Sequence, residues 1–265
     1  MMRFALQVEY DGSVFQGWQS QPHGKTVQDH LERALGIIAG TRVQAMAAGR
    51  TDTGVHAQAQ VAHFDTDVQR PLQAWVRGVN AHLPPAIAVR WAQPVDEAFH
   101  ARFCALSRSY RYILFNHPVR PAIQSGRVGW YHRPLDADAM AAAGRLLLGE
   151  QDFSSFRSAE CQAKSPVKTM HQANVFRRGD YVIFEFRAGG FLHHMVRNMV
   201  GALLWVGYGK ESPDWLPSLI AARDRTLAPP TFMPDGLYFT GVEYEARWNL
   251  PNGGRIIAPF DFPLP

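Results

Sequence analysis

The chain has 265 residues, of which 46% are hydrophobic, and its formal net charge is +4 at pH 7. This length and hydrophobic content suit one large globular domain or two modest ones and exclude intrinsic disorder. The longest apolar stretch, Phe191 to Val206, is interrupted by two histidines, an arginine and an asparagine, which excludes a transmembrane helix. The first ten residues alternate like a strand and lack the apolar core of a signal peptide. We therefore expect a cytoplasmic protein with no membrane partner.

The charge and the possible metal ligands restrict the function less strongly. A small positive charge permits nucleic-acid binding without demonstrating it. The two cysteines are too few for a disulfide framework and are not in Cys-x-x-Cys spacing, so reduced thiols are expected. Among the 11 histidines, His56 and His63 are seven positions apart, and His193 adjoins His194. Neither spacing matches a zinc motif. The sequence predicts no metal and no cofactor.

The first half of the chain has the pattern of a split βαβ unit. Residues 4 to 10 alternate apolar and polar side chains, which predicts a strand that ends at an Asp-Gly turn. In the next segment Thr26 and Asp29 have capping-box spacing and Gly40 is a stop signal, so a helix is predicted between them. The remaining predicted elements are strands at 42–48 and 59–64, a helix at 71–82 and a strand at 87–91.

The second half repeats this outline without repeating the sequence. Its predicted elements are a strand at 110–115, a helix at 136–148, strands at 168–177 and 181–187, a helix at 191–206 and a strand at 237–244. Prolines and glycines predict a long surface loop between the first strand and the first helix. We expect an α+β fold of two ferredoxin-like halves that share a mostly antiparallel sheet, with helices packed on one side. The expected division is 1–106, 107–248 and a C-terminal tail at 249–265.

Residues 49 to 57 read Gly-Arg-Thr-Asp-Thr-Gly-Val-His-Ala. The two glycines permit unusual backbone conformations and the threonines can bond to nearby backbone groups, so this loop can present Asp52 in a defined pose. The spacing alone fits a turn with a solvated aspartate equally well.

This segment resembles the active-site signature of the TruA family of tRNA pseudouridine synthases. Seven further segments match the same family in the same order: 10–13 with 17–19, 79–84, 99–103, 110–112, 152–156, 193–198 and 236–238. The resemblance extends from about residue 4 to about residue 245. One departure is Thr53, where the family usually has Ala. Its hydroxyl adds a donor and an acceptor beside the carboxylate.

The resemblance implies the roles of six residues. Asp52 is the catalytic carboxylate, Arg197 pairs with it, and Arg50 enters the base stack where the target uridine leaves. A positive charge near Asp52 favours its ionised form. Tyr110 lines the uracil pocket, although its strand pattern alone indicates a core or half-buried aromatic. Leu237 resembles an apolar pocket residue, although its position also suits a strand core. His194, with its neighbour His193, is expected to contact RNA phosphates or to pack.

The resemblance also implies the substrate and the assembly: uridines at tRNA positions 38, 39 and 40, on the 3′ side of the anticodon stem and loop, and a homodimer. Two other classes of protein fit less well. A non-catalytic RNA-binding module on the same scaffold would carry the RNP1 pattern, and the strand from Tyr181 to Arg187 lacks its glycines. A hydrolase with an aspartate nucleophile would normally have further metal-binding acids, and no acidic cluster surrounds Asp52 in the sequence.

Overall fold

A computed structural model describes residues 1–251 of the chain. The chain divides into two compact units, one formed by Met1–Ser107 together with residues 238–251, the other by Arg108–Leu237. The expected division placed 107–248 together, whereas residues 238–248 group with the first unit. Of the predicted tail at 249–265, residues 252–265 lie outside the described residues. None of the described helices is long and apolar enough to cross a membrane.

The first unit is a βαββαβ arrangement. Its elements are β1 (Met2–Tyr10), α1 (Val27–Ala39), β2 (Ala45–Ala47), β3 (His56–Thr66), a π-helical turn (Ala74–Gly78) that continues into α2 (Val79–His82), and β4 (Ile87–Val95). Strand β1 lies between β4 and β3 and is antiparallel to both, and β2 is antiparallel to β3. This order, β4-β1-β3-β2, is that of a split βαβ unit. The strand that follows Leu237 runs parallel to β3 and pairs Tyr238 with His56.

Local signals explain α1. The side chain of Thr26 accepts from the backbone N–H of Asp29, and the Asp29 carboxylate accepts from Thr26, so the predicted capping box is present. The helix ends at Gly40, whose φ of +70° is a left-handed conformation that suits glycine. The predicted 71–82 helix is present at residues 72–82, and its middle part, Ala74–Gly78, is a π-helical turn. It carries Trp75, which is fully buried against the rings of Phe4 and Phe64.

The second unit is also α+β. Its elements are the greater part of β5 (Ala105–Asn116), β6 (Gly129–Tyr131), α3 (Ala137–Arg145), β7 (Gly149–Asp152), β8 (Val167–Arg178), β9 (Tyr181–Ala188), α4 (Met195–Gly207), α5 (Trp215–Ala222) and the start of β10 (Leu237–Tyr244). Strands β5, β9, β8 and β7 are neighbours in that order and antiparallel, and β6 is parallel to β5. The predicted class, α+β with mostly antiparallel strands, is confirmed.

Several second-unit predictions need correction. Strands β6 and β7 and helix α5 were not predicted, and β6 lies inside the expected surface loop. The predicted helix at 191–206 begins only at Met195, because His194 has φ of 62°, which a right-handed helix cannot contain. Most of α4 is buried, including Met199, Val200 and Leu203. The helix is therefore packed against the core on more than one of its sides.

Candidate active site

The loop between β2 and β3 carries Asp52 in the first unit. The N–H of Val55 donates to the carbonyl oxygen of Asp52 at 3.1 Å, which closes a tight turn. Gly54 completes that turn with φ of +81°, a conformation that favours glycine. Asp52 is half-buried, whereas Arg50 is exposed. Among the residues that the structure describes, the side chain of Arg50 makes no hydrogen bond or ion pair, so its guanidinium is available to a ligand.

His56 holds the downstream end of this loop, a role that the sequence did not reveal. Its Nδ1 accepts from the backbone N–H of Gly12 at 3.1 Å. Its ring stacks on that of Tyr238, with centroids 4.6 Å apart and planes 19° apart. Gly12 is required, because a Cβ there would lie 1.9 Å from the carbonyl oxygen of Val55. His56 is therefore a buried structural residue that joins β3 to the turn after β1.

Tyr110 and Tyr112 share one face of β5 in the second unit and differ in environment. Tyr110 is half-buried, and its ring meets that of Phe191 edge-on, with centroids 5.0 Å apart. Tyr112 is completely buried and donates from its hydroxyl to the carbonyl of Met233 at 3.1 Å. Burial raises the pKa of Tyr112 well above its ordinary value. Tyr112 is thus a core residue, while Tyr110 keeps an accessible side.

Arg197 lies in the first turn of α4 and is half-buried. Its Nε donates to the carbonyl oxygen of Phe232 at 2.8 Å. This bond orients the plane of the guanidinium group, because Nε and the two terminal nitrogens lie in one rigid plane.

Asn198, which follows Arg197 on α4, lies in the core of the second unit. Asn198 is fully buried and donates from Nδ2 to the carbonyl of Phe156 at 2.7 Å. Its Oδ1 accepts from Arg225 at 3.1 Å and from Thr231 at 2.7 Å. This part of α4 therefore packs against the segment that leads to β10, and Arg225 and Thr231 are residues that the sequence patterns did not indicate.

His194 and Leu237 have well-defined but different surroundings. The left-handed backbone of His194 is a strained conformation for a residue with a side chain, and such strain is common at functional sites. Its ring centroid lies 3.9 Å from that of His193. Leu237 is buried at the start of β10. Gly236 before it accepts from the N–H of Ile113 at 2.9 Å, an approach that any larger residue would block.

Arg50 and Asp52 therefore belong to one loop of the first unit. Tyr110, Arg197, His194 and Leu237 belong to the second unit, on β5, α4 and β10. A carboxylate, two guanidinium groups and an aromatic ring are groups that can serve as a nucleophile, as cations and as a stacking surface.

Comparison with known proteins shows which family the chain resembles. The family model for tRNA pseudouridine synthases matches residues 6–104 and 143–245. The chain is 62% identical over 256 residues to the tRNA pseudouridine synthase A of Aromatoleum aromaticum, with 97% of each chain covered. It is 60% identical over 251 residues to that of Dechloromonas aromatica, covering 95% of this chain and 96% of the relative. The corresponding protein of Chromobacterium violaceum is 62% identical over 252 residues, with coverage of 95% and 96%.

The two matched blocks contain most of the residues described above. Asp52 and Arg50 lie in the first block, and His194, Arg197 and Leu237 lie in the second. Tyr110 lies between the blocks, so its interpretation depends on the local strand pattern and on its half-buried ring.

Proposed function

Because this chain belongs to the tRNA pseudouridine synthase family, we propose that it converts uridine to pseudouridine at positions 38, 39 and 40 of tRNA, with Asp52 as the catalytic carboxylate. The family relationship makes the chain an isomerase that acts on tRNA. The choice of positions in the anticodon stem and loop, and the role of Asp52, are the finer steps of the proposal.

The observation that carries the role of Asp52 is its presentation. The side chain is half-buried, on a turn closed by the Val55 N–H and held further along by the bond between His56 and Gly12. A nucleophile must be held within a few tenths of an ångström of its attack geometry. The turn and the buried histidine beyond it give the loop the rigidity that this requirement demands.

The reaction is a rearrangement. The bond between N1 of uracil and C1′ of the ribose breaks, the base turns over, and a bond forms between C5 and C1′. The proton that leaves C5 is balanced by protonation of the released N1, so no oxidant, reductant or group donor is consumed. Asp52 attacks either C1′ or C6 to form a covalent intermediate. Both routes need the carboxylate in its ionised form.

The remaining residues have supporting roles in this proposal. Arg197 is the cationic partner of the Asp52 carboxylate. Arg50, exposed and without a protein partner among the described residues, occupies the place that the flipped base vacates. Tyr110 stacks on the flipped uracil with its accessible side. Leu237 provides an apolar wall of the pocket, and His194 contacts a phosphate.

The partner is tRNA, bound through its anticodon stem and loop, and the protein acts as a cytoplasmic homodimer in this proposal. The positive net charge of +4 agrees with a polyanionic substrate. The dimer rests on the family resemblance, and the location rests on the sequence patterns given at the start.

The test is the Asp52→Asn variant, assayed for pseudouridine in an unmodified tRNA transcript. The amide keeps the shape of the carboxylate and removes its charge. We expect a loss of at least about 1,000-fold in single-turnover rate with little change in tRNA binding. Asp67→Asn, which alters an exposed acid of the same unit, is the control. A tRNA with cytidine at positions 38 to 40 should not be modified.

If Asp52→Asn keeps more than about a tenth of the rate, Asp52 is not the nucleophile. If the unaltered protein binds tRNA and forms no pseudouridine, the chain is a non-catalytic RNA-binding module. Modification of the cytidine-substituted tRNA at another uridine would contradict the proposed positions.

A further inference from the structure

Tyr10 makes a buried polar contact with the loop that carries Asp52. It is the last residue of β1 and only 3% exposed. Its hydroxyl lies 2.8 Å from the hydroxyl of Thr51, the residue directly before Asp52. Burial raises the pKa of Tyr10 well above its ordinary value, so the hydroxyl is neutral and can donate. One hydrogen bond thus joins the end of a core strand to the residue that precedes the proposed nucleophile.

Gln60 makes a second contact on the other side of Arg50. It lies on β3 and is completely buried. Its Nε2 donates to the carbonyl oxygen of Gly49 at 2.7 Å, and its Oε1 accepts from the N–H of Gly49 at 3.4 Å. One side-chain amide thereby satisfies both backbone groups of a loop residue, as a neighbouring strand would.

The backbone of Thr51 is held as well. Its carbonyl oxygen accepts from the N–H of Trp18 at 3.0 Å. Gly17 packs so closely that a Cβ there would lie 2.9 Å from the same oxygen. The ring of Trp18 is 2% exposed, with its centroid 5.8 Å from that of Tyr10. Thr51 is therefore anchored through both its side chain and its main chain.

We infer that Tyr10 and Gln60 are positioning residues that set the place of Asp52 and Arg50, Tyr10 through Thr51 and Gln60 through Gly49. This inference rests on the proposed catalytic role of Asp52. Together the two contacts hold the loop on both sides of Arg50 and immediately before Asp52.

The chemistry of the two positions supports this role. An apolar side chain at position 60 would leave the N–H and the carbonyl oxygen of Gly49 without these partners, and one at position 10 would leave the Thr51 hydroxyl without its partner. The hydroxyl of Tyr10 is directed at Thr51 and at the side chain of Gln60, and the amide of Gln60 is directed at the backbone of Gly49. A displacement of about 1 Å in a catalytic group lowers a rate by about 100-fold, even when the change lies outside the reacting atoms.

The experiment compares Tyr10→Phe, Thr51→Val and the double variant in single-turnover assays at saturating tRNA, with tRNA dissociation constants and melting temperatures measured alongside. Each single variant removes one hydroxyl of the pair. We expect each to lower the rate about 10- to 100-fold with a dissociation constant within about threefold of the unaltered protein. The double variant should be no slower than the slower single variant, because the two hydroxyls act as one contact.

Two further variants separate positioning from folding. Thr51→Ser keeps a hydroxyl, so its single-turnover rate should stay within about threefold of that of the unaltered protein. Tyr244→Phe is the matched control: its hydroxyl donates to the carbonyl of Ala101 at 2.7 Å in the same unit, far along the chain from the Asp52 loop. It should lose a comparable hydrogen bond and keep the rate. Gln60→Met, close in shape to Gln60, should behave like Tyr10→Phe.

The inference is overturned if Tyr10→Phe and Thr51→Val keep the full rate, if Tyr244→Phe is impaired equally, or if the double variant shows the product of the two losses. An inactive Asp52→Asn with a fully active Tyr10→Phe would refute the positioning role and leave the proposed function intact. An active Asp52→Asn would refute the proposed function first.

Discussion

Arg197 donates from Nε to the carbonyl oxygen of Phe232 at 2.8 Å, so the backbone of the segment before β10 orients the guanidinium group on α4. That segment is itself held to α4, because Thr231 and Arg225 both bond to the buried Oδ1 of Asn198. The side chain of Arg197 thus begins on α4, while the segment before β10 fixes the orientation of its guanidinium group.

Arg197→Lys should therefore be far from conservative. Lysine keeps the charge, but it has one terminal nitrogen and cannot hold the Phe232 carbonyl while presenting a planar donor face. We expect the single-turnover rate to fall at least about tenfold with little change in tRNA affinity. Arg145→Lys, at the exposed end of α3, is the control. A rate for Arg197→Lys equal to that of the control would mean that charge alone suffices.

Tyr110→Phe keeps the ring that contacts Phe191 and deletes the hydroxyl. If the hydroxyl assists proton transfer at the uracil ring, the turnover should fall at least about 100-fold, while tRNA binding changes little. Tyr181→Phe on β9 serves as the matched control. It loses a hydroxyl that donates to the side chain of Gln124 at 2.6 Å. Unchanged single-turnover kinetics for Tyr110→Phe would make Tyr110 a structural residue.

Arg50→Ala should affect turnover more than affinity. One cation among many adds little to the binding of a polyanion, whereas the flipped state depends on the side chain that replaces the base in the stack. The measurements are the tRNA dissociation constant and the single-turnover rate, with Arg33→Ala on α1 as an exposed control. An affinity loss that accounts for the whole activity loss would make Arg50 an ordinary binding residue.

His63 should make the folded state less stable in mild acid. Burial, together with the nearby His100 and Arg3, lowers the pKa of His63 to about 4, although Asp65 acts in the opposite direction. The unfolded chain takes up this proton near its ordinary pKa of about 6.5. The stabilisation is therefore complete above pH 6.5 and is lost as the pH falls toward 4, by about 2 kcal/mol between pH 7.5 and pH 5.

The check is the free energy of unfolding of the unaltered protein and of His63→Gln, measured from pH 7.5 to pH 5. Glutamine can accept from the N–H of Ala101, as Nδ1 of His63 does at 3.2 Å, and it does not titrate. We expect a flatter pH dependence for the variant. Parallel curves would show that the pKa of His63 is the same in the folded and unfolded states.

Much of the first unit was predictable because its signals are local. The capping box of Thr26 and Asp29 and the glycine at position 40 depend only on neighbouring residues, and α1 has the limits that they predict. The alternation of β1 is also local, since it reflects one buried face. The family signature around Asp52 identifies the loop that carries the candidate nucleophile, because its nine residues are contiguous in the chain.

Other features depended on contacts between residues that are far apart in the sequence. Strand β7, which reads Gly-Glu-Gln-Asp, has no apolar alternation and forms because β8 provides backbone partners for it. No local pattern indicated that Asn198 is buried and bonded to Arg225 and Thr231. No pattern at Tyr10 or Gln60 indicated a contact with the loop, because a buried polar group and its partner are joined only when the chain folds.

The sequence by itself thus determined the family and the α+β class, because each is encoded by residues that stand close together or in a fixed order. Only the tertiary structure decided how the Asp52 loop is held by Tyr10, Gln60 and His56, and how Phe232 orients Arg197. These contacts join groups from separate strands and loops, and their geometry comes from packing rather than from any local pattern.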